Sequence, residues 1–166
     1  MRHFIVIAII ISVFCTNVFS QPNKSIEPMK LELQWGGFYT SKNENGKFGV
    51  FRLLDFNVDA YHIAIYSEEF DKAPALADIQ KLKPFIGHAP IDSKALLNTK
   101  ELTLIGNKKL VKEDLVGYSY YLTDGEDADD ELKSFLSDVI SFSHKPPMNL
   151  LLSLKNGKLD IKELKK

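Results

Sequence analysis

Phe48-Gly49-Val50-Phe51-Arg52-Leu53-Leu54-Asp55-Phe56, a short link Asn57-Val58-Asp59-Ala60, then Tyr61-His62-Ile63-Ala64-Ile65-Tyr66 is the stretch that decides the fold. Both flanks are rich in β-branched and aromatic residues. The second alternates, with Tyr61, Ile63 and Ile65 on one face and His62, Ala64 and Tyr66 on the other. A link this short joins antiparallel neighbours. Upstream, Ser41 to Lys47 holds Asn43, Asn45 and Gly46, which take up positive φ cheaply and mark another turn. Before it Leu31 to Trp35 alternates, and Phe38-Tyr39-Thr40 continues extended after Gly36-Gly37. Three strands on short turns predict an antiparallel meander.

Further along the chain the pattern is mixed. Pro74 suits the first turn of a helix running to about Lys83, which Pro84 ends. Phe85 to Ile91 is expected to be extended or looped, because Pro90 biases its predecessor away from helix. Ser93 is placed to cap a short helical turn through Leu97. Glu101 to Ile105 and Val116 to Leu122 carry strand-type residues and are expected to be strands. Ala128, Leu132, Phe135, Leu136, Val139 and Phe142 recur at helical steps, which predicts an amphipathic helix to about Ser143. Pro146-Pro147 stops it. Asn156-Gly157 between Leu150–Lys155 and Lys158–Lys162 is a strong hairpin signal. The expected fold is α+β: a curved antiparallel sheet or small open β-barrel-like meander, two or three helices and a C-terminal β-hairpin.

Trp35-Gly36-Gly37-Phe38-Tyr39, Gly46 to Leu54, Tyr61 to Tyr66, Phe70, Pro74, Ile86-Gly87-His88-Ala89-Pro90-Ile91 and Leu115-Val116-Gly117-Tyr118 resemble an uncharacterised family of small bacterial proteins. The resemblance covers residues 35–122. It implies a Trp- and Tyr-containing strand leading into a curved β-meander like a small open barrel. That family carries no assigned activity, so the resemblance bears on the fold alone.

The 166 residues are 45% hydrophobic and 26% charged, which fits an ordinary globular domain and excludes collagen-like, disordered and polytopic membrane classes. Residues 1–20 have the layout of a secretory signal peptide. Arg2 and His3 precede an apolar run from Phe4 to Phe14, and cleavage is expected between Ser20 and Gln21. The run is too short for a spanning helix, which needs about 20 residues. Phe14 is bulky where a lipobox before Cys15 needs a small residue, so no lipid anchor is expected. Residues 21–30 then form a flexible leader and residues 31–166 a single α+β domain. Cleavage at Ser20 would remove the only cysteine, leaving no thiol for disulfides, nucleophiles or thiolate metal sites. One arginine, Arg52, would remain among the basic residues, with a slightly negative net charge. This argues against nucleic acid as a partner.

Chemistry-bearing residues are few. His62, His88 and His144 show no HxxxH or HExxH spacing. His62 reads as a solvated or half-buried strand residue. His88, between Gly87 and Pro90, is the one histidine held where a loop could present it. As a catalytic base it would need a carboxylate such as Asp92 or Asp114. Gly117-Tyr118-Ser119-Tyr120-Tyr121 lacks the second glycine of a nucleophile elbow. Asp127, Asp129 and Asp130, in the acidic run Asp124 to Glu131, could bind a hard cation. That run fails the EF-hand order, and helix capping by Asp127 with solvation explains it more simply. Tyr39, Tyr66, Tyr118 and Tyr120 could form a stacking platform for a ligand or fill a bent sheet, and both readings stay open. No cofactor fingerprint occurs, and none is expected. The expectation is an exported, periplasmic or secreted, non-catalytic module that binds a protein or peptide at the cell envelope, without a membrane span after cleavage. The alternatives are an envelope or secreted enzyme using His88, and a structural subunit that pairs through an edge strand such as Lys158–Lys162.

Overall fold

The decisive stretch builds the middle of a five-stranded antiparallel sheet. In the computed structural model, which describes residues 27–99 and 101–165, Phe48–Phe56 (β3) pairs with Ala60–Ile65 (β4) and Gly37–Lys42 (β2). Ile86–Asp92 (β5) borders β4 and Thr103–Asn107 (β6) borders β2, giving the order β5-β4-β3-β2-β6. Pro90 interrupts β5 without harm because β5 is an edge strand, where a missing N–H can face outward. A second antiparallel sheet joins Met29–Leu33 (β1), Met148–Lys155 (β7) and Lys158–Glu163 (β8) in the order β1-β7-β8. Asn156 (φ 52) and Gly157 (φ 74) turn the β7–β8 hairpin through two left-handed residues, as the Asn-Gly pair requires. Neither sheet closes on itself.

The larger sheet is buried on both faces. Leu31, Leu33, Leu150 and Leu152 of the small sheet pack on Tyr39, Leu53, Tyr61 and Ile63 of the large one. On the opposite face Leu54 and Ala64 meet Leu110, Leu115, Tyr118 and Val139, while Phe38, Val50 and Tyr66 enclose Ile79. The result is three layers: small sheet, large sheet, helices. Arg52 is buried in the helix-side layer, paired to Asp114 at 2.7 Å and donating to the Lys108 carbonyl at 2.8 Å.

Several expectations are corrected. Val116–Leu122 is a helix (α2), not a strand. Asp114 ties the preceding 3₁₀ turn by accepting from the Val111 amide, and Leu115 and Tyr118, three apart, are both buried. Tertiary burial on a three-residue step thus overrides the strand propensity of Val, Tyr and Leu. The helix expected over Pro74–Lys83 is a single turn, Leu76–Ile79 (α1), which already buries Ile79 completely. Asp78 holds its start by accepting from the Ala75 amide. Asp92, not Ser93, caps the 3₁₀ segment Ser93–Asn98, accepting from Lys94 N. Asp129, not Asp127, caps the long helix Asp130–Phe142 (α3). Leu31–Trp35 does not run on into Phe38–Thr40: Gly36 (φ 72) breaks the strand and sends β1 into the other sheet. The leader expected over 21–30 overlaps β1, which starts at Met29. Residues 1–20, with the signal-peptide expectation and Cys15, lie outside the described residues. Among the described residues no helix is long and apolar enough to cross a membrane.

Candidate functional site

Among the described residues two places bring chemistry-bearing groups together, and each sits in a different layer.

The first is on the helix side of β3, β4 and β5. Asp55 and His62 are cross-strand partners, and His88 approaches diagonally from β5, where the register shifts opposite Ala64. His62 Nδ1 and His88 Nε2 are 2.9 Å apart. The ring centroids are 5.2 Å apart and the planes differ by 15°. That separation is close to the N···N distance plus the two ring radii, so the nitrogens face each other almost head-on. This is the geometry of one N–H shared in line, donated by one ring and accepted by the other, rather than of two lone pairs converging on a metal ion.

Tyr118 of α2 stacks on both imidazoles, with centroids at 4.5 Å from His62 and 4.8 Å from His88. Its hydroxyl donates to Asp55 Oδ2 at 2.9 Å, and the Trp35 indole donates to Asp55 Oδ1 at 2.9 Å. Tyr121 covers His88 at 4.6 Å. Helix α2 comes this close because Gly117 lies on the Gly87 backbone: a Cβ there would stand 3.1 Å from the Gly87 carbonyl carbon. Burial lowers the affinity of both imidazoles for protons. His88 falls to about 4, pushed further by the neighbouring His62, whereas Asp55 partly offsets the lowering at His62. Burial, then Asp55, pushes the Tyr118 hydroxyl up, so it remains a donor. The cluster is a neutral, hydrogen-bonded imidazole pair under an aromatic lid.

The second place is a groove of about 310 Å³ where the edge strands β1 and β6 approach, lined among others by Lys30, Glu32, Leu102, Thr103, Asn149 and Leu164. Tyr39 bonds the backbone of β1 beside it. Its hydroxyl donates to the Glu32 carbonyl at 2.8 Å and accepts from the Gln34 amide at 2.8 Å. A strand points the N–H and C=O of one residue to the same side and those of the next to the other side. Lys30, Glu32 and Gln34 therefore share the side of β1 facing away from β7, while Leu31 and Leu33 bond toward it. The Tyr39 hydroxyl occupies the Glu32–Gln34 position of that outer edge as a neighbouring strand would. Lys30 and Glu32, whose C=O and N–H form the next position of that edge, both line the groove.

The residues singled out from the sequence are scattered across these layers. Tyr39 and Tyr66 are buried, one between the sheets and one against Phe38. Tyr118 is buried over the histidines, and Tyr120 is 67% exposed on the outer side of α2. Asp92 and Asp114, considered as partners of His88, serve the 3₁₀ cap and Arg52 instead. The carboxylate in the histidine cluster is Asp55. His62 was legible as a face-mate of Ala64 and Tyr66, but its pairing with His88 needed the β4–β5 register. Asp129 caps α3, Asp130 pairs with Lys133 at 3.1 Å, and Asp127 is exposed. Among the described residues no group of three or more His, Cys, Asp or Glu side chains is placed to hold a metal. Comparison with known families, curated proteins and solved structures finds no match for this chain.

Proposed function

We propose that this protein is a non-catalytic binding module that takes up an extended peptide or protein segment along the outer edge of β1, and that it works at the cell envelope. The observation carrying this reading is the Tyr39 hydroxyl bonded to Glu32 and Gln34: it fills one position of the outer β1 edge, and Lys30 and Glu32, which form the next position, line the groove. Strand addition draws affinity from main-chain hydrogen bonds and selectivity from alternate side chains. The groove offers both, with Lys30 and Glu32 outward and Leu102 and Leu164 as apolar contacts. The envelope location rests on the signal-peptide reading of residues 1–20, and N-terminal sequencing of the exported protein checks it.

The test uses peptides selected from a displayed random library against residues 21–166. Glu32→Pro deletes an N–H that faces away from β7, so the β1–β7 ladder survives, as for edge prolines generally. We expect Glu32→Pro to weaken the selected peptides by about tenfold or more and Glu32→Ala to leave them near wild type. Equal binding by a folded Glu32→Pro variant would sink the edge-strand reading.

A further inference from the structure

Among the described residues the exposed large hydrophobics cluster in the segment that carries α2 and α3. Of the ten among those residues, seven lie within residues 111–142, led by Tyr120 at 67% and Val116 at 65%. Val116 and Tyr120 are four apart and share the outer face of α2. Tyr121 covers His88, Phe135 of α3 meets Tyr118 edge-on at 6.2 Å, and both remain 40% or more exposed. Tyr121 lies on His88 and Phe135 on Tyr118, and those two rings stack on each other at 4.8 Å, so the exposed aromatics of α2 and α3 border the same ring cluster. Monomers seldom leave such a grouping open to water.

The same segment holds nine acidic residues against two lysines, net −7, in a chain whose whole net charge is −1. Asp114 is used by Arg52, and Lys133 by Asp130. Asp124, Glu126 and Asp127 lie exposed in the loop joining α2 to α3, and Glu131 and Asp138 lie exposed on α3, an acidic rim to the aromatics of these two helices. An apolar face alone would accept any apolar partner; this rim repels nucleic acid, anionic lipid headgroups and acidic proteins.

We propose that the α2–α3 face is a docking surface for a cationic amphipathic segment of a partner protein, whose apolar side covers Val116, Tyr120, Tyr121 and Phe135 while its lysines or arginines meet the surrounding carboxylates. The surface is separate from the β1 groove, and none of its residues lines that groove.

The experiment titrates residues 21–166 with a fluorescent Leu/Lys amphipathic peptide and with its Leu/Glu counterpart, at low and high salt. Saturable binding of the Leu/Lys peptide, weakening with salt, is expected, with no binding of the Leu/Glu peptide. Glu126→Gln/Asp127→Asn/Glu131→Gln should weaken the Leu/Lys peptide about tenfold at low salt and flatten the salt dependence. Val116→Ser/Tyr120→Ser, at two exposed positions, should weaken it at both salts. Glu32→Pro should bind like wild type, which keeps this result independent of the groove. Equal binding of the two peptides, or indifference to both sets of substitutions, overturns the proposal. Sedimentation showing wild-type dimers that Val116→Ser/Tyr120→Ser dissociates also overturns it, because a second copy would then be the occupant.

Discussion

Replacing Tyr39 by Phe isolates the hydrogen bonds that tie β1 to the larger sheet from the apolar packing between them. The ring stays, and with it the stacking on Phe51 at 5.3 Å and 12°, so the apolar contribution is nearly unchanged. Two hydrogen bonds of 2.8 Å disappear. Each is worth about 1 kcal/mol net, and a buried amide left without a partner costs about 1–3 kcal/mol. Gln34 is 5% exposed, so its N–H meets little water once the hydroxyl is gone, whereas the Glu32 carbonyl borders the groove and can be rehydrated. The expected loss is therefore about 2–3 kcal/mol. Urea unfolding of residues 21–166 measures it, and amide exchange at Gln34 locates it. Burial holds the Tyr39 hydroxyl well above the usual phenol range, so the loss should be constant from pH 6 to pH 9. A loss below about 0.5 kcal/mol, or unchanged exchange at Gln34, would refute the claim that this hydroxyl completes the β1 edge.

Three other outcomes follow from the geometry. The imidazole pair is neutral when folded and binds protons more readily when unfolded, so stability should fall as pH drops from about 6.5 towards about 4. His88 should account for about 1–2 kcal/mol of that fall after allowance for solvent screening; comparing wild type with His88→Gln at pH 7 and pH 5 removes the common carboxylate contribution, and parallel pH profiles would contradict it. Asp114→Ala strips the carboxylate from Arg52, which is 4% exposed and keeps carbonyl acceptors and the Tyr66 hydroxyl, and should cost about 2 kcal/mol in urea unfolding. Gly157→Ala forces a side chain into φ 74 and should lower stability by about 1 kcal/mol although nothing lies within 4 Å of the new Cβ, which thermal unfolding would register.

What could be read in the sequence was local. β3 was predicted over the residues it occupies, and the β4 faces were assigned correctly, because alternation and turn residues act within a few positions. The Asn156-Gly157 hairpin was legible for the same reason. Long-range choices were not. Nothing in Leu31 to Trp35 says that it pairs with Leu150 rather than with its sequence neighbours, and only Gly36 hints at the break. The α2 segment offered two periods at once: Val116, Tyr118, Tyr120 and Leu122 step by two, while Leu115 and Tyr118 step by three. Burial chose the second. The histidine pair was hidden for a similar reason, since His62 and His88 meet only when β5 lies beside β4.

Residues Gln34 and Trp35, just after β1, connect the molecule's three layers. The Gln34 amide bonds the Tyr39 hydroxyl between the sheets, and its side chain donates to the Lys145 carbonyl, beyond the end of α3, at 2.8 Å. The Trp35 carbonyl accepts from Asn107 at the end of β6, its indole bonds Asp55, and its ring stacks on Phe142 of α3 at 5.3 Å. The edge of β1, the carboxylate of the histidine cluster and the helical face are thus tied to two consecutive residues. A segment added along β1 would be anchored next to this junction, while the five-stranded sheet, packed on both faces, resists bending between groove and helices. That arrangement holds the β1 edge and the α2–α3 face on separate layers, so the two proposed binding faces can be probed independently, while the polar groups nearest the centre bond one another.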